Sequence, residues 1–298
     1  VLGSSFFFFF ITEINYEKKL IFLHKKLPKK ISSFSMTDVL INKNKAYIDV
    51  DAFINDTFFK LKLLFDTGLS DGLWLFKDKK IKNDNKSIRD VLGRGLLGDI
   101  TGERSRVDKV VFNNFEMQEV LVVYPDSTSF KQIEIIEGRN GSLGGEVTMR
   151  FNWVLDYKNN KFYFQRNDFF YKPFNFNMSG IEVQHSGIQF VKEEVEYSSS
   201  NFKISFEKND ENFNFSQNYR YELKPVFDIY AIRKNSPADK AGIKVGDVLK
   251  KINGLSSYNL SIQKITDIFQ SEDGKQITIV VDRKGQILTF KFKLEKIL

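Results

Sequence analysis

Cysteine is absent from the 298 residues, which excludes disulfides, thiol nucleophiles and cysteine-ligated zinc. Histidine is almost absent. Only His24 and His185 occur, too few for a histidine-rich metal site or a Ser-His-Asp triad, and both read as surface or strand residues. No metal ligand set is expected. Residues 6–11, a run of phenylalanines ending in Ile11, fall far short of the roughly 20 apolar residues of a membrane-spanning helix. They also lack the basic flank and cleavage site of a signal peptide, so they read as a buried strand. The formal net charge of +7 does not bring nucleic acid into play, because the lysines are scattered among acids. The one dense patch, Lys25, Lys26, Lys29 and Lys30 around Pro28, reads as a solvated linker.

What is present is enough apolar material, 42% of residues, for two domains. The chain is organised around Lys62-Leu63-Leu64-Phe65-Asp66-Thr67-Gly68. Three apolar residues run into an acid, a hydroxyl residue and a glycine. That order predicts a buried strand ending in a tight turn that holds a carboxylate at the mouth of a core. Two carboxylates about 3 Å apart cannot both ionise, so such a pair shares a proton and serves as base on a water and acid on a leaving amine. An aspartate that bonds its own turn backbone is the structural alternative for Asp66.

Asp66-Thr67-Gly68 resembles the Asp-Thr/Ser-Gly motif of aspartic peptidases, in which the hydroxyl ties the two active-site turns together. Downstream, Leu143-Gly144 resembles the hydrophobic-hydrophobic-Gly segment that crosses behind the catalytic turn in pepsin-like and retropepsin-like folds, with Ser142 as a departure. Residues 93–102, with Gly93, Gly95, Leu96, Leu97 and Gly98, look like a flap able to close over an extended substrate; a mobile surface loop is the plainer alternative. Leu69 departs from the small residue usual after the motif and narrows the expected cleft. Asp71 and Asp99 are the conceivable second acids within this stretch, each more simply a loop residue. Together these segments resemble one peptidase lobe over residues 37–168.

An internal repeat extends the resemblance. Setting Leu2-Gly3 on Leu143-Gly144, a shift of 144 − 3 = 141, sets Phe10 on Phe151, Ile14 on Leu155, Tyr16 on Tyr157 and Leu23 on Phe164. Residues 1–36 then read as the tail of a first lobe plus a linker, with that lobe's own Asp-Thr-Gly expected upstream of residue 1. The resemblance implies that the dyad needs this missing lobe, or a second copy of the chain as in homodimeric retropepsins.

Between tail and motif, 39–41 and 46–50 read as strands about an Asn42-Lys43-Asn44 turn; 107–112 and 115–123 read as a hairpin, and 131–137 as a short helix. Residues 166–177 read as a linker. From about Met178 the chain resembles a bacterial PDZ domain, on Ser236-Pro237-Ala238, Ala241-Gly242, Gly246-Asp247-Val248-Leu249 and Ile252-Asn253-Gly254. Residues 261–269 form an amphipathic helix, and Leu288, Phe290, Phe292 and Leu294 alternate along a last strand. Residues 198–218 are expected to form an inserted hairpin.

The fold class is thus mainly β: an acid-protease-like β-barrel lobe followed, over 169–298, by a PDZ domain, a small β-barrel or sandwich with two helices. The PDZ resemblance implies peptide docking by strand addition along Val226, Phe227, Asp228 and Ile229 beside Ile265 of the helix, with a carboxylate loop near Lys224-Pro225-Val226. Pro225 lacks a donor there, and a structural role for the domain stays open. The expected activity is hydrolysis of peptide bonds in extended polypeptides, with no cofactor and a polypeptide substrate or peptide ligand as partner. A peptide-binding protein without catalysis, or a homodimeric enzyme, are the alternatives. Peptidases with PDZ domains are often exported, which implies an extracytoplasmic site.

Overall fold

The computed structural model describes residues 4–83, 85–95, 98–129, 135–194 and 219–298. The chain is mainly β and divides into two compact units, Val1–Phe176 with Lys296–Leu298, and Asn177–Glu295. Leu2-Gly3, Leu96, Leu97, most of the helix expected at 131–137 and the hairpin expected at 198–218 lie outside the described residues. Residues 135–137 are not helical.

The first unit opens with α1 (Ser4–Phe9), β1 (Ile11–Asn15), β2 (Leu20–His24) and β3 (Ser35–Asp38). The buried strand expected at 6–11 is therefore corrected to a helical turn and a strand that begins only at Ile11. Phe9 and Phe10 are exposed, while Phe7 and Phe8 lie against Tyr157 at ring-centroid distances of 5.4 and 5.5 Å. Among the described residues no sheet partner faces 6–10; the ladder to β2 starts at Ile11 and that to the strand Phe151–Asp156 at Thr12.

Next come β4 (Leu40–Asn42), β5 (Lys45–Ile54), β6 (Thr57–Phe65), β7 (Leu73–Leu75), β8 (Ile88–Gly95), β9 (Gly98–Phe112) and β10 (Phe115–Pro125). The unit continues through β11 (Arg139–Leu143), α2 (Gly145–Thr148), β12 (Phe151–Asp156) and β13 (Lys161–Arg166). Sheet order β4-β5-β6-β11-β7-β10-β9-β8, with a further β5–β9 pairing, closes the strands from β5 to β9 into a barrel. Two tight turns take positive φ: Lys43 and Asn44 (φ 47 and 62) join β4 to β5, and Asn55 and Asp56 (φ 50 and 59) join β5 to β6; Asn and Asp tolerate this conformation better than other side-chain-bearing residues.

A second sheet, ordered β2-β1-β12-β13-β3, packs on the barrel through aromatic rings. Phe65 meets Trp153 at 4.8 Å and Phe112 meets Phe164 at 4.3 Å. The 141-residue repeat is visible in this sheet. The shift lays α1 over the stretch that begins with α2, β1 over β12 and β2 over β13. It also pairs β1 with β12 about a local twofold, because the central pair Glu13↔Val154 is a matched pair of the repeat and is flanked by Thr12↔Leu155 and Ile14↔Trp153. β3 lies outside β13; nothing lies outside β2 in the described residues.

Residues 166–177 do not form the free linker expected. Phe170, Phe174 and Phe176 are buried in the first unit. The fully buried Arg150 donates to the carbonyls of Glu146, Phe169, Phe170, Lys172 and Pro173, tying this stretch down. Lys30, placed in a solvated linker by its sequence, donates instead to buried Glu13 at 2.6 Å.

The second unit comprises β14 (Ile181–Glu194), β15 (Tyr219–Ile232), α3 (Pro237–Lys240), β16 (Val248–Ile252), β17 (Leu255–Ser256), α4 (Ile262–Phe269), β18 (Gln276–Arg283) and β19 (Gln286–Lys293). Ser236 and Ser261 cap α3 and α4 by accepting from Asp239 and Lys264 N–H. Asp247 is buried and accepts from Lys244 N–H at 2.9 Å and from Arg283 Nε and Nη2 at 2.7 Å each.

Candidate active site

β6 buries Leu61, Leu63 and Phe65 in the barrel and then releases Asp66 into a turn. β11 runs parallel to β6, with Leu63↔Gly141 and Phe65↔Leu143, and Asp66 N–H donates to the Leu143 carbonyl at 2.9 Å. Leu143 and Gly144 therefore stand directly behind the Asp66 turn. Gly144 donates to Gly72 at 2.9 Å, and Gly145 to Leu69 at 2.6 Å. A Cβ on Gly144 would sit 2.1 Å from the Asp71 carbonyl and 2.9 Å from Leu69 Cγ, so no larger residue fits.

Asp66 is half-buried, and its Oδ1 accepts from Gly68 N–H at 3.0 Å. Oδ2 and the exposed Thr67 hydroxyl have no hydrogen-bond partner among the described residues. Two cavities flank the carboxylate. One, about 310 Å³, is lined by Phe7, Phe65, Asp66, Thr67, Leu155 and Tyr157. The other, about 420 Å³, lies between Asp66 and Arg139 and includes Leu69, Trp74, Phe76 and Ile100.

The expected flap is a hairpin of β8 and β9, paired as far as Gly95↔Gly98, at the edge of the barrel sheet. Gly93 and Gly98 take φ of 144 and 118, which side-chain-bearing residues rarely adopt. Ile100 from its second strand shares the larger cavity with Asp66. Asp71 is not a free second acid: it is buried, accepts from Trp74 Nε1 at 2.8 Å and is paired with Arg104. Asp99 is an exposed residue of β9.

Two contributors carried no sequence motif, Arg139 and Trp74. Their one trace was the polar Ser142 where the resemblance calls for an apolar residue. Ser142 is buried and its Oγ accepts from Arg139 Nη2 at 2.8 Å. Burial lowers the Arg139 pKa, opposed by attraction to Tyr47 and Asp66.

In the second unit, Val226, Phe227, Asp228 and Ile229 do not line an open edge. β15 is paired with β14 along its length and with β16 at Phe227↔Leu249 and Asp228↔Val248. Lys224-Pro225-Val226 is mid-strand, opposite Gln189, Ile188 and Gly187, and not a loop. The edge strands of this sheet are β14 and β19, and the one beside α4 with its buried Ile265 is β14. At its entrance Asn177 Oδ1 accepts from Ser179 and Gly180 N–H, and Ser179 Oγ accepts from Ile181 N–H.

Among the described residues no three His, Asp or Glu side chains converge to hold a metal, and no helix is long and apolar enough to cross a membrane.

Residues 229–283 match the PDZ domain family. A probable CtpA-like serine protease of Staphylococcus saprophyticus is 36% identical over 64 residues, 22% of this chain and 13% of that protein. Its counterpart in Staphylococcus aureus strain COL is 33% identical over 64 residues with the same shares. The chain thus spans 13% of the length of these curated relatives. Among solved structures, a retropepsin-like aspartic protease from Rickettsia conorii aligns at 16% identity and a TM-score of 0.28, covering 43% of this chain and 98% of that one. The HtrA-type protease AlgW with decapeptide aligns at 11% identity and a TM-score of 0.27, covering 96% of this chain and 71% of that one. At those scores neither likeness bears on the chemistry of the Asp66 turn.

Proposed function

We propose that this chain, whose C-terminal unit is a PDZ domain, is part of an aspartic-type peptidase that hydrolyses peptide bonds in extended polypeptides. Asp66 supplies one carboxylate of a proton-sharing pair. One carboxylate of such a pair takes a proton from the attacking water while the other hands its proton to the departing amine. Thr67 and Gly68 hold the turn, Leu143 and Gly144 back it, and the β8–β9 hairpin covers it.

The second carboxylate comes from a further lobe of the same fold. The observation that carries this reading is the local twofold through Glu13 and Val154, which makes β2 the image of β13, while among the described residues no strand beside β2 answers to β3 beside β13. The cavity next to Asp66 and Thr67 offers room for a second turn, and the free Thr67 hydroxyl awaits a partner. A second copy of this chain suits the site less well, since β1 already occupies the twofold position beside β12. The serine chemistry of the staphylococcal relatives is not carried over, because so little of their length is matched.

A second reading, a peptide-binding protein without catalysis, draws on Asp66 Oδ1 bonding its own turn at Gly68. One experiment separates the two: cleavage of a quenched peptide library from acid to neutral pH, with and without pepstatin, by the longest gene product and its Asp66→Asn variant. Pepstatin-sensitive cleavage lost in the variant supports the peptidase. Cleavage that survives in Asp66→Asn, or no cleavage by the intact protein, overturns it.

A further inference from the structure

The larger cavity beside Asp66 has an uncommon lining. Its walls are Leu64, Leu69, Trp74, Phe76 and Ile100, and a guanidinium, Arg139, is set among them. Arg139 is half-buried, with its Cζ 5.3 Å from the centre of the Phe76 ring. Its partners are neutral: Nε donates to the Gly141 carbonyl at 2.9 Å and Nη2 to Ser142 Oγ at 2.8 Å. Among the described residues no carboxylate lies within ion-pair distance of it. A guanidinium carries five N–H donors in a planar fork, so part of the fork remains for a ligand.

A half-buried cation in an apolar cavity is costly unless an anion meets it. For Arg104 the chain supplies that anion itself, with Asp71 and Asp90; for Arg150 it supplies five backbone carbonyls that use the fork on every side. At Arg139 the hydrogen-bond partners are only a carbonyl and a serine, and the one carboxylate that attracts it, Asp66, lines the same cavity beyond ion-pair distance. Ser142, the departure from the apolar pattern behind the Asp66 turn, is the residue that fixes the fork. The exposed Lys45 adds a second positive charge at the rim.

We propose that the cavity between Asp66 and Arg139 is a subsite for an acidic side chain, so that the peptides selected carry glutamate or aspartate next to the bond presented to Asp66. The apolar walls take the methylene stem, and Arg139 meets the carboxylate in the bidentate manner that guanidinium favours. The assignment rests on the peptidase reading for where the substrate lies, but it is a statement about binding and is tested as one.

The test is equilibrium binding to the full chain and to its Asp66→Asn variant, followed by Trp74 emission. Trp153, the other tryptophan, is fully buried, and a Trp74→Phe control assigns the signal. C-terminally amidated peptides differ only in Glu, Gln or Leu at one position, moved along the sequence. At one position Glu is expected to bind about tenfold tighter than Gln, as a charge-assisted pair requires. That preference should shrink as salt is raised, vanish in Arg139→Met, persist in part in Arg139→Lys and weaken in Ser142→Ala. The Ser142 variant preserves the charge and apolar walls should Arg139→Met fold poorly. Equal binding of Glu, Gln and Leu, a preference that survives in Arg139→Met, or no Trp74 response overturns the subsite. A Leu peptide with a free C-terminus that binds as tightly as the amidated Glu peptide overturns the side-chain assignment in favour of a chain terminus. Cleavage unaffected by Asp66→Asn would sink the peptidase reading and leave the Glu preference standing; a lost preference with Asp66-dependent cleavage would do the reverse.

Discussion

Single side chains decide most at two places, the wall behind Asp66 and the buried Arg150. Gly144 is hemmed in by the Asp71 carbonyl and Leu69. Gly144→Ala is therefore expected to cost about 2 kcal/mol or more, read by thermal melting. It should also push the Asp66 turn out of place, with cleavage falling further than stability explains. Arg150 is still charged at neutral pH although burial lowers its pKa to about 10. Arg150→Met strips five carbonyls of their donor and should cost about 3 kcal/mol, while freeing residues 169–174 to proteases. The Asp66 turn was legible in the sequence because strand, acid, hydroxyl and glycine are contiguous. Arg139 was not, since what gives it meaning is a tertiary bond to Ser142 and a cavity assembled from five strands and the turn.

Elements were read well where local chemistry governs them. The turn about Asn42-Lys43-Asn44 and the amphipathic helix at 261–269, observed as α4, follow from local residue type and spacing. The phenylalanine run is helical where a strand is expected because apolar character does not distinguish a helical turn from a strand; strand pairing, which begins only at Ile11, does. The strand edge of the PDZ domain was misplaced for a related reason: sequence shows that β15 is a strand, but not which of its neighbours hide its edges. Asp247 explains the acid of the Gly-Asp-Val-Leu signature. Burial raises its pKa, and the hydrogen bonds from Arg283 and Lys244 more than offset this, so the net shift is downward from 3.8. Stability from this carboxylate is present above its unfolded value and is lost as pH falls through the lower folded one. The PDZ unit should hence lose stability in a step below about pH 4. Asp247→Asn should remove that step and cost about 2 kcal/mol at neutral pH, seen by thermal melts across pH. At β14 the donors that a chain terminus would use are already engaged by Asn177 and Ser179. Peptides that add to β14 are expected to bind equally as free acids and as amides, measurable by calorimetry.

For the molecule as a whole, the division at Phe176 and Asn177 predicts that residues 177–295 made alone will fold and melt as one cooperative unit, checked by calorimetry and amide exchange. The repeat was legible in sequence because both copies keep the same order of apolar strand, Asn/Asp-Tyr turn and returning strand; that they face each other across one ladder is visible only in the structure. The change near Met178 was legible in composition, whereas the attachment of 169–173 to the first unit was not, because Arg150 gathers that stretch from a distance that no local pattern records. The twofold leaves a further mark. β2 stands at the rim of its sheet with Leu20, Ile21, Phe22 and Leu23 exposed at 48%, 51%, 38% and 47%. Bare apolar rims of this kind template other strands, and cells guard them with charge, proline or a chaperone. With this rim exposed, nascent protein would be prone to clump in proportion to its concentration, and one gatekeeper such as Ile21→Lys should raise the soluble yield.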